Sequence, residues 1–281
     1  MIYEKYDKLW KIWLLVPFIM LIASAIVLLD YNARTGSFVG RDVELVGGNR
    51  ITMELDKQVD FSALQDALPY AKMSIISGIR NELLVETAPD ISVGQVLDDL
   101  SKFGLSGEHN LKTVGPFLGD IFWKQAQLAI IIAFVLMALV LFIIFRNIVS
   151  SSIIIFSVVT DVIATLAVMD IFGINMSLPV LAALMMIVGY SVDDNILLTT
   201  NMLKVRSGEI SYCIKTGLKT GLTMFLAILV ALSALFVVSG TFVLGQIALV
   251  LIVGVIVDMV VTWMGNANIL RLWLIRHERA S

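Results

Sequence analysis

The chain has 281 residues, 58% of them hydrophobic and 15% charged, with a formal net charge of -3 and a mean hydropathy of +0.91. A soluble domain carries about 45–50% apolar and about 25% charged residues. The apolar surplus exceeds one buried core and falls in long runs, which excludes a soluble enzyme, a collagen-like chain and a disordered tail, and the acidic balance without a long basic tract excludes a nucleic-acid binder.

Six apolar runs, at about 11–29, 125–145, 151–172, 178–200, 220–238 and 243–265, approach the roughly 20 residues a helix needs to cross about 30 Å of hydrocarbon. Lipid offers the backbone no partners, so these runs must be helical. The first run has the basic start and the Ala23-Ser24-Ala25 triplet of a signal peptide. Its apolar stretch continues through Ile26 to Leu29, which predicts an uncleaved anchor.

Between the first two spans the pattern shortens and polar residues return. Strands are expected at 51–55, 72–77, 82–87 and 111–114. Helices are expected over 61–68, capped by Asp60 or Ser62 and stopped by Pro69, and from Ser92, with Gln95 in capping-box position, to Gly104. A hairpin turn fits Gly78 to Asn81. The order β-α-β-β-α-β is the ferredoxin-like plan. The expected division is 1–29 for the N-terminus and first span, 30–124 for the extracytoplasmic domain, and 125–281 for five further spans and the C-terminus.

Lys5, Lys8, Lys11, Arg146, Lys204, Arg206, Lys215, Lys219, Arg271, Arg276 and Arg279 flank one set of span ends, whereas the loops near 173–177 and 239–242 carry neither Lys nor Arg. Both termini are therefore expected in the cytoplasm of a plasma-membrane protein. Trp10, Trp13, Trp123 and Trp263 fit interfacial belts. Gly217 and Gly221 form a GxxxG pair that reads as a close helix approach.

Four acids fall within the spans: Asp161, Asp193, Asp194 and Asp258. No Lys, Arg or His lies centrally in any span to balance them. A carboxylate stranded in hydrocarbon takes up a proton, so all four are proton-coupling candidates, against the plainer reading of helix-packing groups bonded to Thr160, Ser191, Asn195 or Thr199. Helical spacing puts Asp193 with Ala182, Met186, Gly189 and Thr200, and Asp194 with Ala183, Ile187, Tyr190 and Leu198. Small residues mark helix contacts, which favours Asp193 as the inward acid.

The stretch Gly189-Tyr190-Ser191-Val-Asp193-Asp194-Asn195-Ile-Leu-Leu198 resembles the SecF family of protein-export membrane subunits, which carries Gly-Tyr-Ser and then acidic or amide residues in its fourth span. The archaeal form is closest, with an Asp at the position of Asp193 and Ile-Leu-Leu-Thr like Ile196 to Thr199. In the bacterial form the acid aligns with Asp194, and a basic tail follows where Asn201 to Lys204 stand here. Thr160-Asp161-Val162 resembles the family's polar position in span three. Glu44-Leu-Val-Gly47-Gly48 is similar to its Asp-x-x-Gly-Gly turn, with Asp42 in place of the first glycine of that motif. Paired glycines also suit an ordinary turn.

The resemblance implies an α-helical polytopic membrane protein with six transmembrane helices and a small α+β ferredoxin-like extracytoplasmic domain between helices 1 and 2, half of a resistance–nodulation–division transporter. It implies SecD as partner, contact with the SecY channel, exported preproteins as clients and use of the proton-motive force. The alternatives are a proton-coupled small-solute or lipid transporter of the same superfamily and a passive scaffold. No P-loop, no nucleophilic triad and no histidine cluster occurs, so no enzyme activity, metal or cofactor is expected.

Overall fold

The computed structural model describes residues 10–55, 61–76, 82–105, 109–204, 210–239 and 241–278. The turn expected at 78–81, the cap Asp60 and the basic Lys5, Lys8, Arg206 and Arg279 fall outside these residues, as do the side chains of Ser62 and Lys204.

A short helical turn, α1 (Trp10–Trp13), leads into α2 (Val16–Thr35), which ends on Gly36 in the left-handed conformation. A tight segment follows, with the one-turn helix α3 (Val43–Val46). Then come β1 (Gly48–Glu54), α4 (Phe61–Ala67), β2 (Ala71–Ile76), β3 (Glu82–Thr87), α5 (Val93–Ser101) and β4 (His109–Val114). All neighbouring strands run antiparallel in the order β2-β3-β1-β4. The Ser92 hydroxyl accepts from Gln95 N at 3.3 Å and starts α5. Alternation puts Ile51 and Met53 of β1 under the helices, where they pack with Leu64, Leu68, Leu83, Val85, Val96 and Leu100. Arg50 and Thr52 point to the opposite face, toward the long helices.

The rest is helical: α6 (Pro116–Phe145), α7 (Ile148–Ile171), α8 (Leu178–Lys204), α9 (Ile210–Val238), α10 (Phe242–Val260), a π-helical segment (Val261–Asn266) and α11 (Ala267–Glu278). Six helices or continuous helical runs are long and apolar enough to cross a membrane, at 10–35, 116–145, 148–171, 178–203, 212–238 and 242–276. This is a multi-pass membrane protein with a small ferredoxin-like domain between its first two spans. Several helices outrun their apolar cores. The first turns of α6 carry a charged pair, Lys124 and Asp120 at 2.7 Å, and the last span continues through the π-helix into α11.

The spans are buried unequally. About half of the third, fourth and sixth lies inside the protein (56%, 44% and 56%), against 6% of the first, second and fifth. Thus α7, α8 and α10 make the heart of the bundle, with α2 along α7 and α9 along α10. Close approach is built in where α10 meets α8. A Cβ on Gly254 would overlap the side chain of Ile187, which is fully buried.

Candidate functional site

Two polar clusters lie inside this fold, one within the helices and one where the sheet meets their ends. The first is carried by α7, α8, α10 and the π-helix. Asp161, Asp194 and Asp258 are all buried, together with Ser157, Thr160, Ser191, Asn195, Thr262 and Asn266. Ser191 donates its hydroxyl to Asp161 Oδ2 at 2.6 Å. Asn195 donates to the Ser191 carbonyl at 2.8 Å and accepts from the Asn266 amide. Thr262 donates to Asp258 Oδ1 at 3.1 Å. Asp161 and Asp258 lie within hydrogen-bonding reach of each other, with Ser191 beside both. Asp194 adds its charge to the group, and the Trp263 indole lies against it.

Each carboxyl leaves one buried oxygen unsatisfied. Asp161 Oδ1, Asp194 Oδ1 and Asp258 Oδ2 are buried with no hydrogen-bond partner. Among the described residues no salt bridge reaches any of the three. One hydroxyl donor does not replace the hydration of a full negative charge. Two facing carboxyls are both acceptors, so the contact becomes a hydrogen bond only when a proton sits between them. The arrangement can therefore hold and release protons.

The structure corrects the face assigned to the paired acids. Asp194 points inward and Asp193 is exposed, on a stripe shared with Ala182, Met186 and Gly189. Ala182 and Gly189 are exposed, and the space beside Gly189 is open among the described residues. Periodicity names the residues that share a face but does not say which face is inward. Here the inward side is the bulkier Ala183-Ile187-Leu198 stripe, which fills the bundle core. Of the Gly-Tyr-Ser motif, Ser191 joins the network, Tyr190 lies near Asp194 and Asp258, and Gly189 faces out.

Trp263 is corrected too. It is buried against protein rather than facing lipid, and its ring covers Gly217 and Gly221 of α9, where a Cβ would meet it. The GxxxG pair is thus a seat for one aromatic ring. Thr262 and Asn266 carry no signal of their own in the sequence, although Asp258, Thr262 and Asn266 stand four apart and share a helix face. A π-helical turn inside a span is itself a frequent mark of a functional site.

The second cluster surrounds Arg50 of β1. Its guanidinium is buried and pairs with Asp42, with Glu86 at 2.9 Å and with Glu44 at 3.7 Å. Burial pulls Arg50 below its ordinary value, and the charge and hydrogen bond of Glu86 oppose that. Glu44, also buried, accepts from Lys112 Nζ at 2.6 Å and from the backbone N–H of Leu178 at 2.9 Å, at the start of α8. Glu82 accepts from Phe242 N at 3.2 Å, the first residue of α10, and Arg50 stacks over the Phe242 ring at 5.5 Å. Gly47 takes φ 91°, which favours glycine, and a Cβ there would strike Pro116 at the start of α6. A Cβ on Gly48 would strike the Thr87 carbonyl. The Glu44-x-x-Gly-Gly turn therefore ties the sheet to the helix ends.

Comparison with known proteins agrees with this architecture. The family described as protein export membrane protein SecD/SecF, C-terminal, matches residues 96–276. The protein-export membrane protein SecF of Pyrococcus furiosus is 35% identical over 276 residues, covering 95% of this chain and 92% of its own length. That of Methanocaldococcus jannaschii is 32% identical over 286 residues, covering 96% and 98%. Among solved structures, the translocon-associated membrane protein SecDF of Thermus thermophilus superposes with a TM-score of 0.75 at 22% identity. That match covers 96% of this chain but 38% of the SecDF chain. A heavy metal efflux pump gives a TM-score of 0.50 at 16% identity, over 69% of this chain and 21% of the pump. Both likenesses concern the fold alone.

Proposed function

The chain belongs to the SecD/SecF family of protein-export membrane proteins, and from that membership we propose that it is a SecF-type auxiliary subunit of protein export, paired with a SecD-type subunit and driven by the proton-motive force. Its role is mechanical rather than enzymatic. The observation that carries the reading is the facing pair Asp161 and Asp258, buried in the bundle with one oxygen each unpartnered.

A proton between the two carboxyls turns a repulsion into a hydrogen bond and lets α7 and α10 close together; its loss drives them apart or draws water in. At about 100 mV each charge crossing the membrane yields about 2.3 kcal/mol, which shifts a two-state balance about fifty-fold. Asp194 lies beside the pair and Asp193 on the outer surface of the bundle, so the inner acid is the better candidate for the relay. The distribution of Lys and Arg puts both termini in the cytoplasm and the sheet domain outside. Two of the three helices that carry the buried acids, α8 and α10, begin at that outer side, and carboxylates of the sheet domain hold their first N–H groups. A helix N-terminus carries about half a positive charge, so Glu44 and Glu82 grip it by dipole as well as by hydrogen bond. A shift of either helix is thus handed to the domain. The SecY channel and the preprotein passing through it are the partners on which that motion acts.

The test is gradient-dependent export in vesicles that contain the chain, its SecD-type partner and the channel. Asp161→Asn and Asp258→Asn should each cut the gradient-dependent rate at least tenfold while assembly stays normal. Undiminished rates in both variants refute proton coupling through the pair. Failure of any SecD-type subunit to copurify from native membranes refutes the assignment as a whole.

A further inference from the structure

Beyond Asp258 the last span departs from an α-helix. The backbone N–H of Ala267 reaches the Thr262 carbonyl, five residues back, so the π-helical segment Val261–Asn266 holds one residue more than the α-helical turns it replaces. That residue changes which side chains line up. Asn266 stands eight residues beyond Asp258. At about 100° per residue an unbroken α-helix would carry it about 80° past Asp258. With one residue absorbed by the wide turn it takes the place of a seventh residue, about 20° short of Asp258. The segment is wedged on two sides. The Trp263 ring lies over Gly217 and Gly221 of α9, and Gly265 lies against Pro17 of α2 with no room for a Cβ. Asn266 is buried, its side chain donates to Asn195 Oδ1, and its own oxygen has no partner. Its place is therefore set by the phase of the helix rather than by a web of side chains.

That bond orients what lies beyond it. The Asn195 oxygen is committed to Asn266, so the amide nitrogen faces the other way. It donates to the Ser191 carbonyl at 2.8 Å, with the Ser191 and Ser157 hydroxyls at 3.3 and 3.4 Å. A serine hydroxyl has one proton. Because the Ser191 oxygen receives from Asn195, that proton is left for Asp161, which it meets at 2.6 Å. Without Asn266 the Asn195 oxygen would be buried with no donor. Turning the amide over brings it to the Ser157 and Ser191 hydroxyls and takes the Ser191 proton away from Asp161. We propose that Asn266 is a positioning residue of the proton site: placed by the π-helical turn, it acts through Asn195 to aim the Ser191 hydroxyl at Asp161. The consequence for export rests on the role proposed above; the chain of hydrogen bonds does not.

The test reads the Asp161 carboxyl directly. Infrared difference spectra between acidic and alkaline medium are recorded for the full chain in lipid nanodiscs, and the Asp161 band is the one lost in Asp161→Asn. A donated hydrogen bond lowers a carboxyl stretching frequency. In Asn266→Leu, which keeps the branching and removes the donor, the band should rise. In Asn195→Leu/Asn266→Leu no amide competes for the Ser191 proton, and the band should return to its place. A bond that only packs helices together would leave the band unmoved in both variants, and that result overturns the proposal. So does a band that stays high in the double variant. Gradient-dependent export should follow the band, falling about tenfold in Asn266→Leu, the weight of one hydrogen bond to a charged group, and recovering most of that loss in the double variant. If the band moves as expected while export ignores both variants, the positioning role stands and coupling through the acid pair falls. If Asp161→Asn stops export but Asn266→Leu moves neither band nor rate, coupling stands and the positioning role falls. The helix phase is tested by oxidative crosslinking in a Cys213→Ser background. Asn195→Cys with Asn266→Cys should form a disulfide in the membrane, and Asn195→Cys with Gly265→Cys should not. Equal or greater crosslinking of the second pair, which an unbroken α-helix predicts, or none in either, overturns the proposal.

Discussion

The two polar clusters bury charge in opposite ways. At the sheet, Arg50 is surrounded by Asp42, Glu44 and Glu86, and Glu44 in turn by Lys112 and the Leu178 N–H. In the bundle, Asp161, Asp194 and Asp258 share a pocket with hydroxyls and amides and no salt bridge among the described residues. A paired buried charge is costly to unpair, so the sheet cluster is a lock. An unpaired carboxyl group needs only a proton to become neutral, so the bundle cluster is adjustable. The lock joins the domain to the ends of the helices that contain the adjustable part.

Arg50→Ala should break this contrast hardest. It leaves Asp42 and Glu86 without their cation and Glu44 with Lys112 alone, and removing one member of a buried pair costs about 3–5 kcal/mol. Native-state hydrogen exchange of the β1 and β3 amides should lose that much protection, while the amides of α7 barely change. Equal losses in both regions would mean that the sheet and bundle unfold as one unit. Next in size is Gly254→Ala. The added methyl meets Ile187, itself fully buried, and overpacking of this kind costs about 1–3 kcal/mol. Thermal melts of the solubilised chain should fall accordingly, and export should suffer because α8 and α10 are held apart. Asp258→Asn should change stability least of the three, within about 1 kcal/mol, since it removes an acceptor that was never fully satisfied. A melt unchanged beside a collapsed gradient response separates function from folding. A melt lowered as far as in Arg50→Ala would make Asp258 a structural residue.

The spans were legible because hydrocarbon forces long apolar runs, and the sheet because strands alternate and helices announce their caps, as Ser92 does. The ends were less so. The first turns of α6 carry it back to Pro116, nine residues before its uninterrupted apolar run starts at 125, because Asp120 and Lys124 break the apolar pattern without breaking the helix. Asp161 and Asp258 stood out as acids without cations, but that they face each other is a tertiary fact that crosses 97 residues of chain. The inward face of α8 was misjudged because small residues signal close packing without naming the neighbour. Ala182 and Gly189 lie exposed with Asp193 on the outer side of the bundle. Arg50 was unremarkable in sequence; its importance comes from Asp42 and Glu86, which reach it from a turn and from the next strand.

The smallest effect belongs to a charge that is neither locked nor buried. Asp99 on α5 accepts from Lys102 at 2.7 Å and from the Tyr70 hydroxyl at 2.7 Å. The Lys102 hydrogen bond first, then that of Tyr70, holds this carboxyl below its ordinary value. Tyr70 is pushed up to about 12, by burial first and by the Asp99 hydrogen bond second. The signs give the working window. A depressed carboxyl contributes stability above its unfolded value of about 3.9 and loses it as pH falls through the folded value; a raised phenol contributes below about 10 and loses it as pH rises through the folded value. Across neutral pH both contributions are constant, so Asp99→Asn should leave the pH dependence of export untouched. It should lower the Tyr70 phenol only part of the way toward its ordinary value, because burial remains. The difference in phenolate absorbance between this variant and a Tyr70→Phe control reads that shift. A neutral-pH change in export on losing Asp99 would mean that pH acts on the sheet domain as well as on the carboxyls in the bundle, and the division between lock and adjustable site would fail.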